Sequence, residues 1–352
     1  MKQIDREKKT KLSVGYTLPG EGQLSFVDLV RRYQEDIGEV YFAFPGFASG
    51  RSPLGAESSF IDYDATRCLV EDMNQIVKMG IKLNLLFNAA CHGDDALSVQ
   101  HQNEVVSVLD YLGINDIYPA SVTVTSPVTA QIIHRIDPEL EVRASVNMRI
   151  DTIKGIQYVE HLFDSFCIGR DINREPEKLL EISEYLHKQG KTMTVLANSG
   201  CLRKCSMQSF HDNAVAHEAG IRTKRNITWA NATGCREFFM NPDNWHKFLQ
   251  NTWIRPEDVH HYDGIADYIK LATRMHALPA VVVDAYARRR YHGNLADLFE
   301  PGHGPIFAPF VINNDSFPED WYEKTSTCSK ECHKCNYCKS VWESVLVNIN
   351  EE

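Results

Sequence analysis

The chain has 352 residues, enough for one large domain or two modest ones, with 43% hydrophobic and 24% charged residues, an ordinary globular composition. A formal charge of −10 speaks against a non-specific nucleic-acid binder or a membrane-surface protein, while leaving room for a local basic patch. No apolar run approaches the ~18 residues of a membrane span, and the charged segment Met1–Lys9 lacks the apolar core of a signal peptide, so a cytoplasmic protein without membrane contact is expected.

From the N-terminus, short apolar, β-branched runs alternate with amphipathic segments. Strands are predicted over Leu12–Leu18 and Glu39–Phe44, with a helix over Phe26–Glu35 between them and another over Asp72–Lys78 after them. A third strand, Lys82–Asn88, leads to a helix over Gln102–Leu112. Strands Ser121–Ser126, Glu141–Asn147 and Ser165–Arg170 follow, then a helix over Pro176–Gln189 in which Leu179, Leu180, Ile182 and Leu186 keep an approximate 3.6-residue period. Thr192–Asn198 is the seventh strand and Asp267–Ala272 the eighth, with a final helix near Ala280–Tyr291. Gly80, Gly113 and Gly190 stand where helices should stop before the next strand.

Strand–helix alternation implies parallel strands joined by crossovers, and eight such units favour a closed (β/α)₈, TIM-like barrel over an open doubly wound sheet. Thr17–Gly22 holds two glycines without the spacing of a phosphate loop. Two regions break the rhythm and set the expected organisation. A barrel over 1–300 carries a cysteine-bearing insertion at 199–265, after strand seven. Beyond Pro301-Gly302-His303-Gly304-Pro305, a cysteine-rich extension at 301–352 is expected to pack on the barrel.

Ten cysteines in a reducing compartment are unsuited to a disulfide framework and point to metal binding where they cluster. Cys68, Cys91 and Cys167 stand alone and read as small core residues. Asn198-Ser-Gly-Cys201-Leu-Arg-Lys-Cys205 lies directly beyond strand seven, at the barrel end where active sites form. A C-x₃-C spacing on a helix would put both thiols on one face, and Arg203 and Lys204 would favour their thiolates. With Cys235, in Thr233-Gly-Cys-Arg236, these soft donors suit an iron–sulfur cluster or zinc; the plainer reading is buried thiols alone.

The second group is Cys328, Cys332, Cys335 and Cys338, four cysteines within eleven residues. Structural zinc suits its C-x₂-C pairs, and it could equally hold a second cluster or lend one ligand to the first. Cys328, Cys332 and Cys335 also match the C-x₃-C-x₂-C spacing of radical S-adenosylmethionine enzymes. Their place beyond the barrel, and Lys334 where an aromatic usually precedes the last cysteine, argue against that chemistry.

Asn88, Asn147, Arg170, Asp171 and Asn198 end apolar strands and are the candidate catalytic residues, offering directional bonds to a carboxylate or carbonyl at the barrel mouth; the alternative is loop capping. His92, His211, His217, His260 and His261 are weaker candidates, and Arg288-Arg289-Arg290 reads as the solvated end of a helix or as a phosphate or RNA contact.

Asn198–Cys205 followed by Phe210-His-Asp-Asn-Ala-Val-Ala-His217 resembles the peptidase U32 family, whose superfamily includes the UbiU/UbiV-type proteins of ubiquinone biosynthesis. Cys167-Ile-Gly-Arg170-Asp171 is similar to the family's strand-six segment, and Lys270-Leu-Ala-Thr-Arg274 to its Lys-Ile-Glu-Gly-Arg strand-eight motif, with Ala272-Thr273 in place of Glu-Gly. The resemblance runs over roughly 12–275. It implies a barrel with one 4Fe–4S cluster held by four cysteines, of which Cys201, Cys205 and Cys235 lie in the expected region. It also implies, for some members, oxygen-independent hydroxylation with prephenate as oxygen donor, for others action on transfer or ribosomal RNA or on peptides. The leading expectation is therefore an iron–sulfur-dependent hydroxylase or modifying enzyme. The alternatives are a peptidase and a non-catalytic cluster-binding subunit paired with a related family member.

Overall fold

The computed structural model describes residues 9–18, 20, 22–47, 49–50, 63–217 and 234–351. Eight strands form a closed parallel barrel: β1 Lys11–Gly15, β2 Ile37–Ala43, β3 Lys82–Phe87, β4 Ser121–Val124, β5 Glu141–Ala144, β6 Ser165–Cys167, β7 Thr192–Leu196 and β8 Tyr268–Leu271. Closure is made by β1 on β8, from Lys11 opposite Tyr268 to Val14 opposite Leu271. Each predicted strand is present, but several stop early, so that Asn88, Asn147, Arg170 and Asn198 sit in the loops just past the carboxyl ends.

The helices between them are α1 Phe26–Arg32, α2 Tyr63–Lys78, α3 Val99–Ile114, α4 Pro127–Ile136, α5 Ile153–Val159 and α6 Pro176–Lys188; α7 Gln208–Ala216, α8 Gly234–Phe239 and α9 Pro279–Arg288 follow. Ser25, Ser98, Ser126 and Thr152 cap four of them by accepting a first-turn amide, which fixes where the chain leaves each loop. Gly80 and Gly190 take the positive φ expected of helix stops; Gly113 does not, because α3 runs through it and Asp116 takes the left-handed position instead. The glycine pair at Thr17–Gly22 includes Pro19 and Glu21, which lie outside the described residues, as does Thr233.

Alternate strand residues such as Val40, Leu85, Val142 and Ile269 join Leu29, Met73, Ile133 and Val283 of the helices in one core. The inward set is polar, where many barrels of this kind are filled by aliphatic layers. Ser13, Glu39, Asn84, Thr123, Arg143, Ser165 and Lys270 are all buried. At the lower end Arg143 donates to Glu39 at 2.8 Å, Glu141 at 3.0 Å and Ser165 at 3.0 Å, while Ser13 donates to Glu39 at 2.7 Å. That network closes the floor with two carboxylates on one guanidinium and leaves Lys270 above it.

The extension is not a separate body. Helices α10 Gly304–Phe307, α11 Trp321–Thr327 and α12 Tyr337–Val345, with the antiparallel pair β9 Phe310–Ile312 and β10 Leu346–Asn348, share their core with the insertion. Trp253 of the insertion is stacked between Phe299 and Trp321, with ring centroids 5.1 and 5.9 Å away. Among the described residues no helix is long and apolar enough to cross a membrane.

Candidate active site

The loops at the carboxyl ends of the strands enclose a cleft of about 80 Å³. On this measure one water needs roughly 10–15 Å³, so the cleft takes a molecule of a few heavy atoms. Three cationic side chains line it, Arg170, Lys270 and Arg274, against one carboxylate, Glu300. Asn88 and Asn147 form its polar wall: the Asn88 Oδ1 accepts from the Gly50 amide at 2.9 Å, and the Asn147 Nδ2 donates to the Asn88 carbonyl at 3.3 Å. Arg274 is braced by Ser49 at 2.8 Å. The Arg170 guanidinium makes no hydrogen bond or ion pair with the described residues, so its charge is available to a ligand.

Arg170 also lines a second, smaller cleft with Asp171, Arg174, Cys328, Cys332 and Cys338. The extension's cysteines therefore lie directly behind the mouth. Burial, with Cys332, Cys328 and Cys335 close by, pushes the Cys338 thiol up to about 11 despite the opposing Arg174 charge. Arg174 is half-buried, donates to the carbonyls of Trp253 at 3.2 Å and Leu249 at 2.9 Å, and faces the Trp253 and Trp321 rings. A cation held this way by carbonyls and rings offsets the negative charge of a thiolate site.

The insertion gathers the first cysteine group by a different route from the one its spacing suggested. Residues 201–207 form turns, not a helix, and Lys204 has a left-handed φ of 54°. Asp171 fixes this loop: its Oδ1 accepts the Lys204 amide at 2.8 Å, and its carbonyl accepts Arg203 at 3.0 Å. Cys235 enters from α8. Burial, then Cys201 and Cys205, push its thiol up to about 11. All ten cysteines are free.

In both groups each thiolate makes the next harder to form, a penalty that a bound soft cation relieves. No set of three or more His, Cys, Asp or Glu among the described residues surrounds a single metal ion.

Of the five polar residues expected at the mouth, Asn88, Asn147 and Arg170 are there. Asn198 is not: it is fully buried and spends its amide on the Ala272 backbone and the Leu298 carbonyl, tying β7 to β8 and to the chain entering the extension. Asp171 serves the cysteine loop. Cys167 is buried as expected, but Cys68 and Cys91 are half-buried. Arg289 is not a solvated helix end; it holds Asp263 through two bonds of 2.6 and 2.7 Å. His92 packs on His101 at 4.3 Å, and burial with His101 and His217 lowers it to about 4. Tyr41, Ser199, Lys270, Arg274 and Glu300 line the mouth without having been singled out as site residues. The available signal was a lysine inside the otherwise apolar strand β8.

No family model matches the chain. An uncharacterized protease of Methanocaldococcus jannaschii is 26% identical over 331 residues, covering 90% of this chain and 91% of the relative. The solved structure of the U32 peptidase Mk0906 superposes with a TM-score of 0.50 at 13% identity, covering 74% of this chain and 91% of that one, a likeness of fold.

Proposed function

We propose, on the support that these likenesses give to the peptidase U32 family, that the chain is an iron–sulfur-dependent enzyme modifying a small anionic substrate at the barrel mouth. Oxygen-independent hydroxylation is the reaction the resemblance implies. The observation that carries the reading is Arg170, a cation shared by the mouth and by the cleft of the extension's cysteines and without a side-chain partner among the described residues. Cys201, Cys205 and Cys235 would hold a 4Fe–4S cluster, and Cys328, Cys332, Cys335 and Cys338 a second cluster or zinc. A bound cluster supplies one-electron chemistry or an open iron position.

The chain's own residues do the rest. Arg170 and Arg274 bind an anionic group, with charge-assisted bonds stronger than neutral ones. Asn88 and Asn147 orient the polar groups beside it. A peptidase is the second reading, favoured by the name of the relative.

Cys201→Ser, Cys205→Ser and Cys235→Ser, prepared without oxygen, should each lose iron while keeping the barrel's circular dichroism, because the barrel core lies elsewhere. Full iron retention in any one variant removes that residue from the ligand set. Casein hydrolysis by the wild-type chain, unchanged in all three variants, would replace this reading with the peptidase.

A further inference from the structure

Lys270 is a buried lysine with no carboxylate in ion-pair contact among the described residues, its ammonium in a cation–π contact with Tyr41. It sits on β8 between Ile269 and Leu271, pairs in register with Ser13 of β1 and Leu196 of β7, and points inward with 9% of its surface exposed. Among the described residues its Nζ has no hydrogen bond and no carboxylate within ion-pair distance; its neighbour is the Tyr41 ring, 3.9 Å from the ring centre. The floor's acids are already engaged, Glu39 by Arg143 and Ser13, and Glu141 by Arg143. A buried ammonium left in this state costs several kcal/mol in most settings. Its one outlet is the mouth cleft, which it lines.

The surroundings are built to hold it there. Tyr41 fixes the side chain from below, and its hydroxyl donates to the Leu271 carbonyl at 2.7 Å. The ring reaches that position only because residue 15 of β1 is glycine: a Cβ there would lie 2.6 Å from the ring. Arg274, held by Ser49, and Arg170 share the cleft with Lys270 and bring two guanidinium charges to it for one carboxylate.

We propose that Lys270 is a nucleophile that forms an imine with the carbonyl of a small 2-oxo acid held in the mouth by Arg170 and Arg274. The neutral Nζ attacks the carbonyl carbon, and the carbonyl electron pair moves to oxygen, which takes a proton. The resulting carbinolamine loses that oxygen as water, leaving a carbon–nitrogen double bond to Lys270 and consuming no oxidant or reductant. The cleft's volume suits an acid of about six heavy atoms. Burial lowers the Lys270 amine from its usual range, with Arg143 and Arg274 adding to the effect and Cys167 and Glu39 opposing it. A desolvated lysine beside other cations is the established way to keep an amine neutral for this chemistry. Glu300, the one carboxylate among the described residues lining the cleft, would accept the proton that the amine gives up. The inference uses the mouth alone and holds whichever group the cysteines bind.

The test is reductive trapping on the full chain prepared without oxygen, with pyruvate and cyanoborohydride, read by peptide mass. Lys270 should become carboxyethyl-lysine roughly ten-fold or more faster than any other lysine, since a bound carboxylate holds the carbonyl beside its amine. Lys270→Arg should abolish that adduct, and Arg274→Gln should slow it while leaving surface lysines unaffected. Should Lys270→Arg fail to fold, the site map on the wild-type chain decides alone. Labelling spread evenly over surface lysines such as Lys188, or no adduct at Lys270, overturns the proposal.

Discussion

At the residue scale the charges inside the barrel divide into those that hold the fold and those that wait for a ligand. Arg143 and Glu39 are of the first kind, each under 5% exposed and bonded to the other at 2.8 Å. Glu39→Gln weakens the buried bonds to Arg143 and Ser13 while Glu141 still balances the Arg143 charge, and should lower the unfolding free energy by about 1–3 kcal/mol in denaturant melts. An unchanged midpoint would mean that water enters the floor. Arg170 is of the second kind. Replacing it with Gln should weaken binding of a small carboxylate about 10–100-fold by calorimetry, as one charge-assisted contact carries about 1.5–3 kcal/mol, with little effect on stability. The sequence shows Asn88, Asn147 and Arg170 at strand ends, and these do reach the mouth. It does not show that Asn198 is consumed by backbone groups from two separate segments, because partners 74 and 100 residues away leave no local pattern.

At the scale of elements, strands were readable because an apolar run flanked by turn residues has few alternatives, whereas their last residues were not, since pairing ends where the neighbouring strand turns away. The Cys201–Cys205 loop was misread for a related reason: Asp171 holds Lys204 in a left-handed turn that the C-x₃-C spacing cannot reveal. The joint between insertion and extension was invisible as well, being an aromatic stack of residues far apart in the chain. Trp321→Ala should cost about 3–5 kcal/mol and, because Trp253 and Phe299 share the core with the barrel, should shift one cooperative transition and not split it into two. A separate early melting step in calorimetry would show that the extension is an independent unit. Asp263 ties the start of β1 to the end of α9 through Thr10 and Arg289. Burial would raise its carboxyl, but these bonds outweigh it and hold the value below the ordinary range. Its contribution is therefore complete above the unfolded value of about 3.9 and is lost as pH falls through the lowered one. Asp263→Asn should flatten the acid side of the stability profile, and an equally steep acid slope in the variant would assign that slope to other groups.

For the whole molecule, the closed barrel was legible from eight alternating units, and its polar interior distinguishes it from a barrel packed only for stability. The insertion and extension bring seven cysteines into two groups at the carboxyl end of the barrel, with Arg170 between the mouth and the nearer of them. That arrangement joins a small anion site to soft-metal ligands, and the functional account depends on it. Its most direct test is iron, acid-labile sulfide and zinc content measured on one wild-type preparation made without oxygen. The account predicts a brown protein with matched iron and sulfide, sufficient for at least one four-iron cluster per chain and reduced by Cys235→Ser. A colourless protein carrying stoichiometric zinc and no sulfide would contradict it.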